Sequence, residues 1–270
     1  MGARRPSGSP LGSRHNADVR WLEHALNTAL EHHDADRPTA PAGLPDAVLW
    51  DMDGTLIESE PYWMAAEHRL AEQHGATWTH EQALQLVGQE LLVSARMFQE
   101  QTGVPGTPES IVDQLQGNVL DQIRQHGAPW RPGARELLTA LRDAGVPCAM
   151  VTMSYGPFAR TVADAAPAGA FSAVVSGDEV ARGKPDPEPY LTGAARLGVE
   201  IARCVAIEDS PPGVGSALAA GARTVVVPLM VEVQPQDGLS RLATLEQMSL
   251  DVLAEIAAGR EIDTVETTSE

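Results

Sequence analysis

Five short apolar runs stand out along the chain. They lack the alternation of polar and apolar residues seen in half-exposed strands, which is typical of parallel strands covered on both faces. Helical patterns separate most of the runs, and in residues 133–145 apolar side chains recur every three or four positions. This order predicts an α/β fold, a doubly wound parallel Rossmann-like sheet. The predicted strands are Ala47–Trp50, Val146–Val151, Ala173–Val175, Cys204–Ile207 and Thr224–Val227.

Further helices are predicted to begin near Pro187 and after Pro211, and a last one covers roughly residues 240–258. One long interval, between Trp50 and Val146, carries only helical patterns, whereas a crossover between parallel strands needs only about a dozen residues. We therefore predict an inserted α-helical cap subdomain at residues 62–128. The α/β core is then formed by residues 46–61 and 129–260.

The two ends of the chain differ from this core. Residues 1–45 form an N-terminal extension whose first sixteen residues are rich in Gly, Ser, Arg and Pro and are predicted to be mobile. Residues 17–33 have the apolar spacing of one amphipathic helix. Packing on its own domain is favoured for this helix, and docking to a protein partner is the alternative. Residues 261–270 are predicted to be a flexible tail.

The charge of the chain restricts its partners. Lys and Arg number 19 against 37 Asp and Glu, a formal net charge of −18. Such a surface repels nucleic acid and anionic lipid, so neither is predicted as a partner. No apolar run reaches the ~18–20 residues of a membrane span, and no secretory signal is recognised at the N-terminus. With Cys148 and Cys204 both inside apolar runs, we predict a cytoplasmic protein with reduced cysteines.

Polar groups that could carry chemistry follow four of the five predicted strands. In open α/β sheets, ligands bind beyond the carboxyl ends of the strands, so these groups are expected to converge at one edge. In chain order they are Asp51 and Asp53, Thr152, Lys184, and Glu208 with Asp209.

Phosphoryl transfer is the chemistry that this set favours. Asp51 is the predicted nucleophile, because a carboxylate at a strand end can form a covalent aspartyl phosphate. Asp53 would protonate the departing oxygen and then activate water. Thr152, Met153 and Lys184 are the predicted phosphate-binding residues, with the lysine supplying a point charge.

A metal ion is expected at the same edge. Asp51 and Asp53 lie two positions apart, and close carboxylates repel one another unless a cation or a shared proton separates them. Asp209 brings a third carboxylate to the site, and hard oxygen ligands of this kind suit Mg²⁺. We therefore predict Mg²⁺ as the cofactor.

Four elements of the sequence resemble those of the haloacid dehalogenase superfamily: the segments DMDGTL, GKPDP and IEDSPPGV, and the strand-end Thr152. The resemblance covers roughly residues 46–230 and is to the branch of phosphatases and β-phosphoglucomutases with a mobile helical cap. It implies that Mg²⁺ takes the side chains of Asp51 and Asp209 and the backbone carbonyl of Asp53. Glu208 would lie close by, as a ligand through water or as a structural acceptor.

The predicted function is a Mg²⁺-dependent phosphatase that hydrolyses a small phosphomonoester. A phosphosugar mutase of the β-phosphoglucomutase type is the main alternative, and a non-catalytic phosphate-binding module is a weaker one. Mutases similar to this chain carry a hinge histidine where Trp63 stands, and a cap arginine where the stretch 88–91 has no cation, although Arg96 is nearby. Candidate residues lining the site are Trp63, Gln89, Glu90 and Arg96 in the cap, with Glu60 just before it.

Overall fold

A computed structural model of the 270-residue chain describes residues 41–86 and 90–265. Six parallel strands form one sheet with the spatial order β3-β2-β1-β4-β5-β6. The order reverses direction at β1, between its neighbours β2 and β4, and crevices at such a point bind ligands in doubly wound folds. The strands are β1 (Ala47–Trp50), β2 (Cys148–Val151), β3 (Ala173–Val175), β4 (Cys204–Glu208), β5 (Arg223–Val226) and β6 (Leu239–Arg241).

Five of the six strands match the predicted runs to within two residues at each end. The sixth, β6, was not predicted, and it lies where the last helix was expected to begin. That prediction is wrong at its start, since the helix begins only at Leu250. β6 was not predicted because two of its three buried residues, Ser240 and Arg241, are polar and so do not form an apolar run.

Helices cover both faces of the sheet, as the apolar strands require. Successive residues of β1 point into different cores: Val48 and Trp50 into the larger cluster, Ala47 and Leu49 into the smaller one. All four side chains are fully buried, so no polar residue alternates with them.

Between β1 and β2 the described residues contain helices and no strand. We call residues 60–126 the helical insertion. Its apolar spacing at Ile111, Leu115, Val119 and Ile123 lies on one buried helix face. The exact limits of the predicted cap, 62–128, remain a prediction. The helices in its described residues are α1 (Glu60–Gln73), α2 (His80–Leu84), α3 (Leu91–Thr102) and α4 (Pro108–His126).

The remaining helices belong to the α/β core. Those predicted to start near Pro187 and after Pro211 begin at Glu188 and at Pro211 itself. None of the helices in the described part of the chain is long and apolar enough to cross a membrane. The core helices are α5 (Ala134–Asp143), α6 (Gly156–Ala165), α7 (Glu188–Leu197), α8 (Pro211–Ala220) and α9 (Leu250–Ala257).

The chain after α9 returns to the sheet. Residues 261–265 lie alongside β6, where Arg241 N–H donates to the Ile262 carbonyl at 2.7 Å and Thr264 N–H donates to the Arg241 carbonyl at 2.9 Å. This pairing lies beyond residue 260, the predicted end of the core, and the flexible tail proposed for residues 261–270 remains a prediction. The predicted helix at 17–33, the rest of the N-terminal extension to residue 40, and residues 266–270 lie outside the described residues.

Arg241 anchors this return with a buried guanidinium group. Its side chain is 2% exposed, pairs with Asp263 at 3.2 Å and donates to the carbonyl of Val233 at 2.9 Å. We expect Arg241→Ala to lower the free energy of unfolding by about 2–4 kcal/mol, because buried carbonyls lose a charged donor and a cavity opens. The exposed Arg260, paired with Glu255, is the control. Arg260→Ala should cost less than about 1 kcal/mol. Urea denaturation measures both, and equal small losses would contradict the assignment.

Candidate active site

The carboxyl ends of β1 and β4 bring acidic residues together at the point where strand order reverses. Trp50 and Ile207 are register partners in these neighbouring strands. Asp51 follows the first, and its N–H donates to the Ile207 carbonyl at 3.0 Å. Glu208 and Asp209 follow the second. The sheet register alone therefore places the carboxylates predicted from separate motifs next to one another.

Lys184 lies at the centre of this group. Its Nζ atom is 2.6 Å from Asp51 Oδ1 and 2.7 Å from Glu208 Oε1, and it donates to the Val151 carbonyl at 3.0 Å. Burial opposes the charge on this ammonium group, but the two carboxylates outweigh burial and raise the pKa of Lys184. A positive charge is thus fixed beside the predicted nucleophile.

Glu208 is fully buried and is held from several sides. The Tyr190 hydroxyl donates to Glu208 Oε1 at 2.6 Å, and Asp209 N–H donates to Oε2 at 3.2 Å. A Cβ atom at Gly213 would lie 2.0 Å from this carboxylate, so only glycine leaves room for it. These contacts hold the Glu208 carboxylate in place beside Lys184.

Asp53 receives hydrogen bonds from three hydroxyl groups. Ser59 Oγ donates to Oδ1 at 2.5 Å, while Ser154 Oγ and Thr152 Oγ1 donate to Oδ2 at 2.7 Å and 3.3 Å. Burial raises the pKa of Asp53, and so does the charge of Asp51, although the serine hydrogen bonds oppose them. A protonated carboxyl group is the form that a general acid needs.

Ser59 was not singled out from the sequence. It is the residue before the first turn of α1, a position where serine commonly caps the helix, yet its side chain makes no capping hydrogen bond. The hydroxyl turns to Asp53 instead. The sequence does not distinguish a serine that caps a helix from one that turns its hydroxyl elsewhere, and Ser59 was therefore missed.

Thr152 and Met153 lie beside these carboxylates. Thr152 is buried at the end of β2 and, besides its bond to Asp53, accepts from Ser154 N–H at 3.0 Å. The Met153 sulfur accepts from Lys184 N–H at 3.3 Å. The structure thus gathers at one edge all the site residues predicted after the strands, while the individual roles assigned to them remain predictions.

The acidic residues fit a divalent cation. One oxygen from each of Asp51, Glu208 and Asp209 lies within 4.8 Å of the others. Asp51 Oδ2 is buried and has no hydrogen-bond partner. Partial removal from water and the charges of Asp51 and Glu208 raise the pKa of Asp209 well above its ordinary range. Carboxylate oxygens are ligands that Mg²⁺ accepts, so this set is suited to it.

Gly54 lets Asp209 approach the loop after β1. Its φ is +86°, in the left-handed region, and a Cβ atom there would lie 2.0 Å from Asp209 Oδ2. Arg131, which sequence reasoning did not identify, supports the same loop. Its guanidinium group donates to the carbonyls of Gly54 at 2.5 Å and Val227 at 2.8 Å.

A cavity of about 550 Å³ opens from the acidic edge toward the helical insertion. Glu60, Trp63 and Glu90, three of the candidate lining residues, line it, whereas Arg96 is not among its described lining residues. Gln89 lies outside the described residues. The cavity also contains Glu67, which was not predicted.

Glu60 and Glu67 share one face of α1, because seven residues make two helical turns. Burial and the charge of Asp53 raise the pKa of Glu60 to about 7. Burial raises the pKa of Glu67 to about 8, although the Trp78 indole donates to its Oε2 at 3.0 Å. The i, i+7 spacing of two glutamates was the available sequence signal for this pair.

The sequence profile of the haloacid dehalogenase-like hydrolases matches residues 45–221. The chain belongs to this family. Among its curated relatives, hexitol phosphatase A of Escherichia coli is 35% identical over 182 residues, which are 66% of this chain and 81% of the relative. The N-acetylmuramic acid 6-phosphate phosphatase of Pseudomonas aeruginosa is 34% identical over 67% of this chain and 80% of that protein.

A solved structure agrees with this assignment. CbbY from Rhodobacter sphaeroides in complex with phosphate has a TM-score of 0.69 and 26% identity, covering 76% of this chain and 96% of its own. These haloacid dehalogenase-like relatives support phosphomonoester hydrolysis as the activity, in agreement with the sequence prediction. The family is metal-dependent and usually uses Mg²⁺, which agrees with the acidic cluster.

The raised pKa of Glu67 predicts a dependence of stability on pH. The folded protein keeps a proton that the unfolded chain releases above its ordinary pKa of 4.5, so the free energy of unfolding should fall as pH rises from about 4.5 to about 8. In Glu67→Gln this decline should be shallower. Urea denaturation in EDTA at several pH values measures it. Glu72→Gln, an exposed change on the same helix, should keep the wild-type slope, and an unchanged slope in Glu67→Gln would refute the prediction.

Proposed function

We propose that this haloacid dehalogenase-like hydrolase is a Mg²⁺-dependent phosphatase that hydrolyses a small phosphomonoester through an aspartyl phosphate on Asp51. The arrangement of Asp51 carries the proposal. One of its oxygens is held by Lys184 at 2.6 Å, and the other is buried without a partner. Asp53, with a raised pKa, stands two residues away as the proton donor.

The reaction then has two steps. Asp51 attacks phosphorus while Asp53 gives its proton to the ester oxygen, so that the alcohol leaves and an aspartyl phosphate remains. Asp53, now a carboxylate, takes a proton from a water molecule that attacks the same phosphorus. Inorganic phosphate leaves, Asp51 is free again, and Asp53 is again protonated. Thr152 and Lys184, with Met153 beside them, would hold the phosphate oxygens.

Three groups would hold Mg²⁺: the carboxylates of Asp51 and Asp209 and the backbone carbonyl of Asp53. A bound cation neutralises part of the negative charge on the phosphoryl group. The remaining charge compensation comes from Lys184. Because Arg131 donates to the Gly54 carbonyl, it would keep the loop with the Asp53 carbonyl in position.

The substrate class follows the relatives, whose names include hexitol and N-acetylmuramic acid 6-phosphate phosphatases. We propose a small phosphorylated metabolite and no nucleic acid or membrane partner. A cytoplasmic location accords with Cys148 and Cys204, which are free and buried. Burial raises the pKa of both thiols to about 12, so neither is suited to act as a nucleophile.

Hydrolysis is favoured over a mutase reaction. A mutase acting on a bisphosphate must hold a second phosphate within the cap. Of the described residues from the helical insertion that line the cavity, all the charged ones are acidic: Glu60, Glu67 and Glu90. Trp63, at the position of the mutase histidine, packs edge-on against Phe158 with ring centroids 5.9 Å apart.

Two substitutions test the assigned roles. Asp51→Asn should abolish phosphate release, because it removes the nucleophile. Asp53→Asn should slow turnover by about 10²–10⁴-fold and leave phosphate on the protein, since water loses its base. Intact-mass spectrometry after substrate addition detects the added phosphate. Wild-type turnover by Asp53→Asn would refute its role, and rapid isomerisation of a sugar phosphate with negligible phosphate release would refute hydrolysis.

Chelation tests the cation. EDTA should stop phosphate release without unfolding the chain, because the core is large enough to fold without metal. Mg²⁺ should raise the thermal midpoint of the wild type, since binding to the folded state alone stabilises it. In Asp209→Asn this shift should shrink. Full activity in EDTA, or an equal shift in the variant, would contradict the proposed ligands.

A further inference from the structure

The helical insertion presents a chemically distinctive surface to the cavity. Glu60 and Glu67, which we call the acidic wall, line the cavity from the same face of α1. Glu67 is only 5% exposed. Trp63 lies between them in sequence and also lines the cavity, offering an apolar ring beside the two carboxyl groups. A group leaving from the phosphate would meet this surface.

In the described part of the cavity lining, every cation is already paired with a carboxylate. That lining includes two cations, Lys184 and Arg182. Lys184 is bound to Asp51 and Glu208 at the catalytic end. Arg182 is 65% exposed and pairs with Asp186 at 3.2 Å and with Glu188 at 3.6 Å.

This distribution of charge separates two kinds of leaving group. A second phosphate or a carboxylate near the acidic wall would be removed from water beside carboxyl groups and without a counter-charge, which is costly whether those carboxyl groups are ionised or protonated. A hydroxyl group can both donate to and accept from a carboxyl group. The raised pKa of Glu60 and Glu67 supports this pairing, because each can carry the proton that a hydroxyl oxygen accepts.

We propose that Glu60 and Glu67 select an uncharged, hydroxyl-rich leaving group, such as a polyol or a neutral sugar, and reject one that carries a carboxylate or a second phosphate. This inference rests on the proposed phosphatase function. It makes the acidic wall a determinant of specificity in a site whose catalytic residues belong to the sheet edge. It also separates the two relatives named above, since N-acetylmuramic acid has a carboxylate and a hexitol has none.

A matched pair of substrates tests the selection. Glucitol 6-phosphate and 6-phosphogluconate share a six-carbon chain and differ at the far carbon, which is a hydroxymethyl group in the first and a carboxylate in the second. We expect kcat/KM for the first to exceed that for the second by at least about tenfold. Equal values, or a preference for the carboxylate, would overturn the proposal.

Two variants assign the selection to the acidic wall. Glu60→Gln and Glu67→Gln keep groups that accept and donate hydrogen bonds but remove a charge that is complete only above the pKa values of about 7 and about 8. Measured at about pH 9, each variant should therefore reduce the ratio of kcat/KM values at least about threefold. The ratio should fall mainly because kcat/KM for 6-phosphogluconate rises. Glu72→Gln, on the same helix and exposed, should leave the ratio unchanged. Circular dichroism verifies that each variant is folded, and unchanged ratios in both wall variants would overturn the proposal.

An amine probe distinguishes hydroxyl recognition from simple cation binding. In glucosamine 6-phosphate an ammonium group replaces one hydroxyl group of glucose 6-phosphate. We expect the kcat/KM values of the two substrates to lie within about tenfold of each other. A larger preference for the amine would overturn the proposal. Wild-type hydrolysis of p-nitrophenyl phosphate serves as the reference. If p-nitrophenyl phosphate is hydrolysed but the matched substrates have equal kcat/KM values, only the role of the acidic wall is refuted. If no phosphate is released from any ester, the proposed function itself is refuted.

Discussion

The ammonium group of Lys184 is the contact on which the acidic edge of the sheet depends. It lies within 2.7 Å of carboxylate oxygens at the ends of two different strands, and all three side chains are almost completely buried. Without this charge, Asp51 and Glu208 would face each other away from water, an arrangement that proteins avoid by protonation or unfolding. The Val151 carbonyl and the Tyr190 hydroxyl fix the geometry from the remaining sides.

The first helix of the insertion connects this edge to the cavity. Ser59, at its start, donates to Asp53, while Glu60 and Glu67 line the cavity along the same helix. The same segment therefore contacts Asp53, the proposed proton donor, and presents the groups that would contact the leaving alcohol. Displacement of this helix would alter both, because Ser59 and the acidic wall move together.

Much of the fold and of the site could be predicted from sequence. Strands such as β1 were recognisable because burial on both faces leaves continuous apolar runs, and the residues after them were recognisable because ligand sites lie at strand ends. β6 was not, since Arg241 and Ser240 are buried polar residues whose partners come from other segments. Arg131 was missed for the same reason: its acceptors lie 77 and 96 residues away in the chain.

By itself the sequence determined the class of fold, the acidic loop with Asp51, which we propose as the nucleophile, and Lys184, which faces it. These depend on residue types at the ends of apolar runs. The tertiary structure decided which groups of the helical insertion reach the cavity and which hydroxyls hold Asp53. Those contacts come from residues at no fixed spacing along the chain: Ser59 and Ser154 both donate to Asp53. Only packing of the helices against the sheet sets such distances, and packing is a property of the whole folded chain.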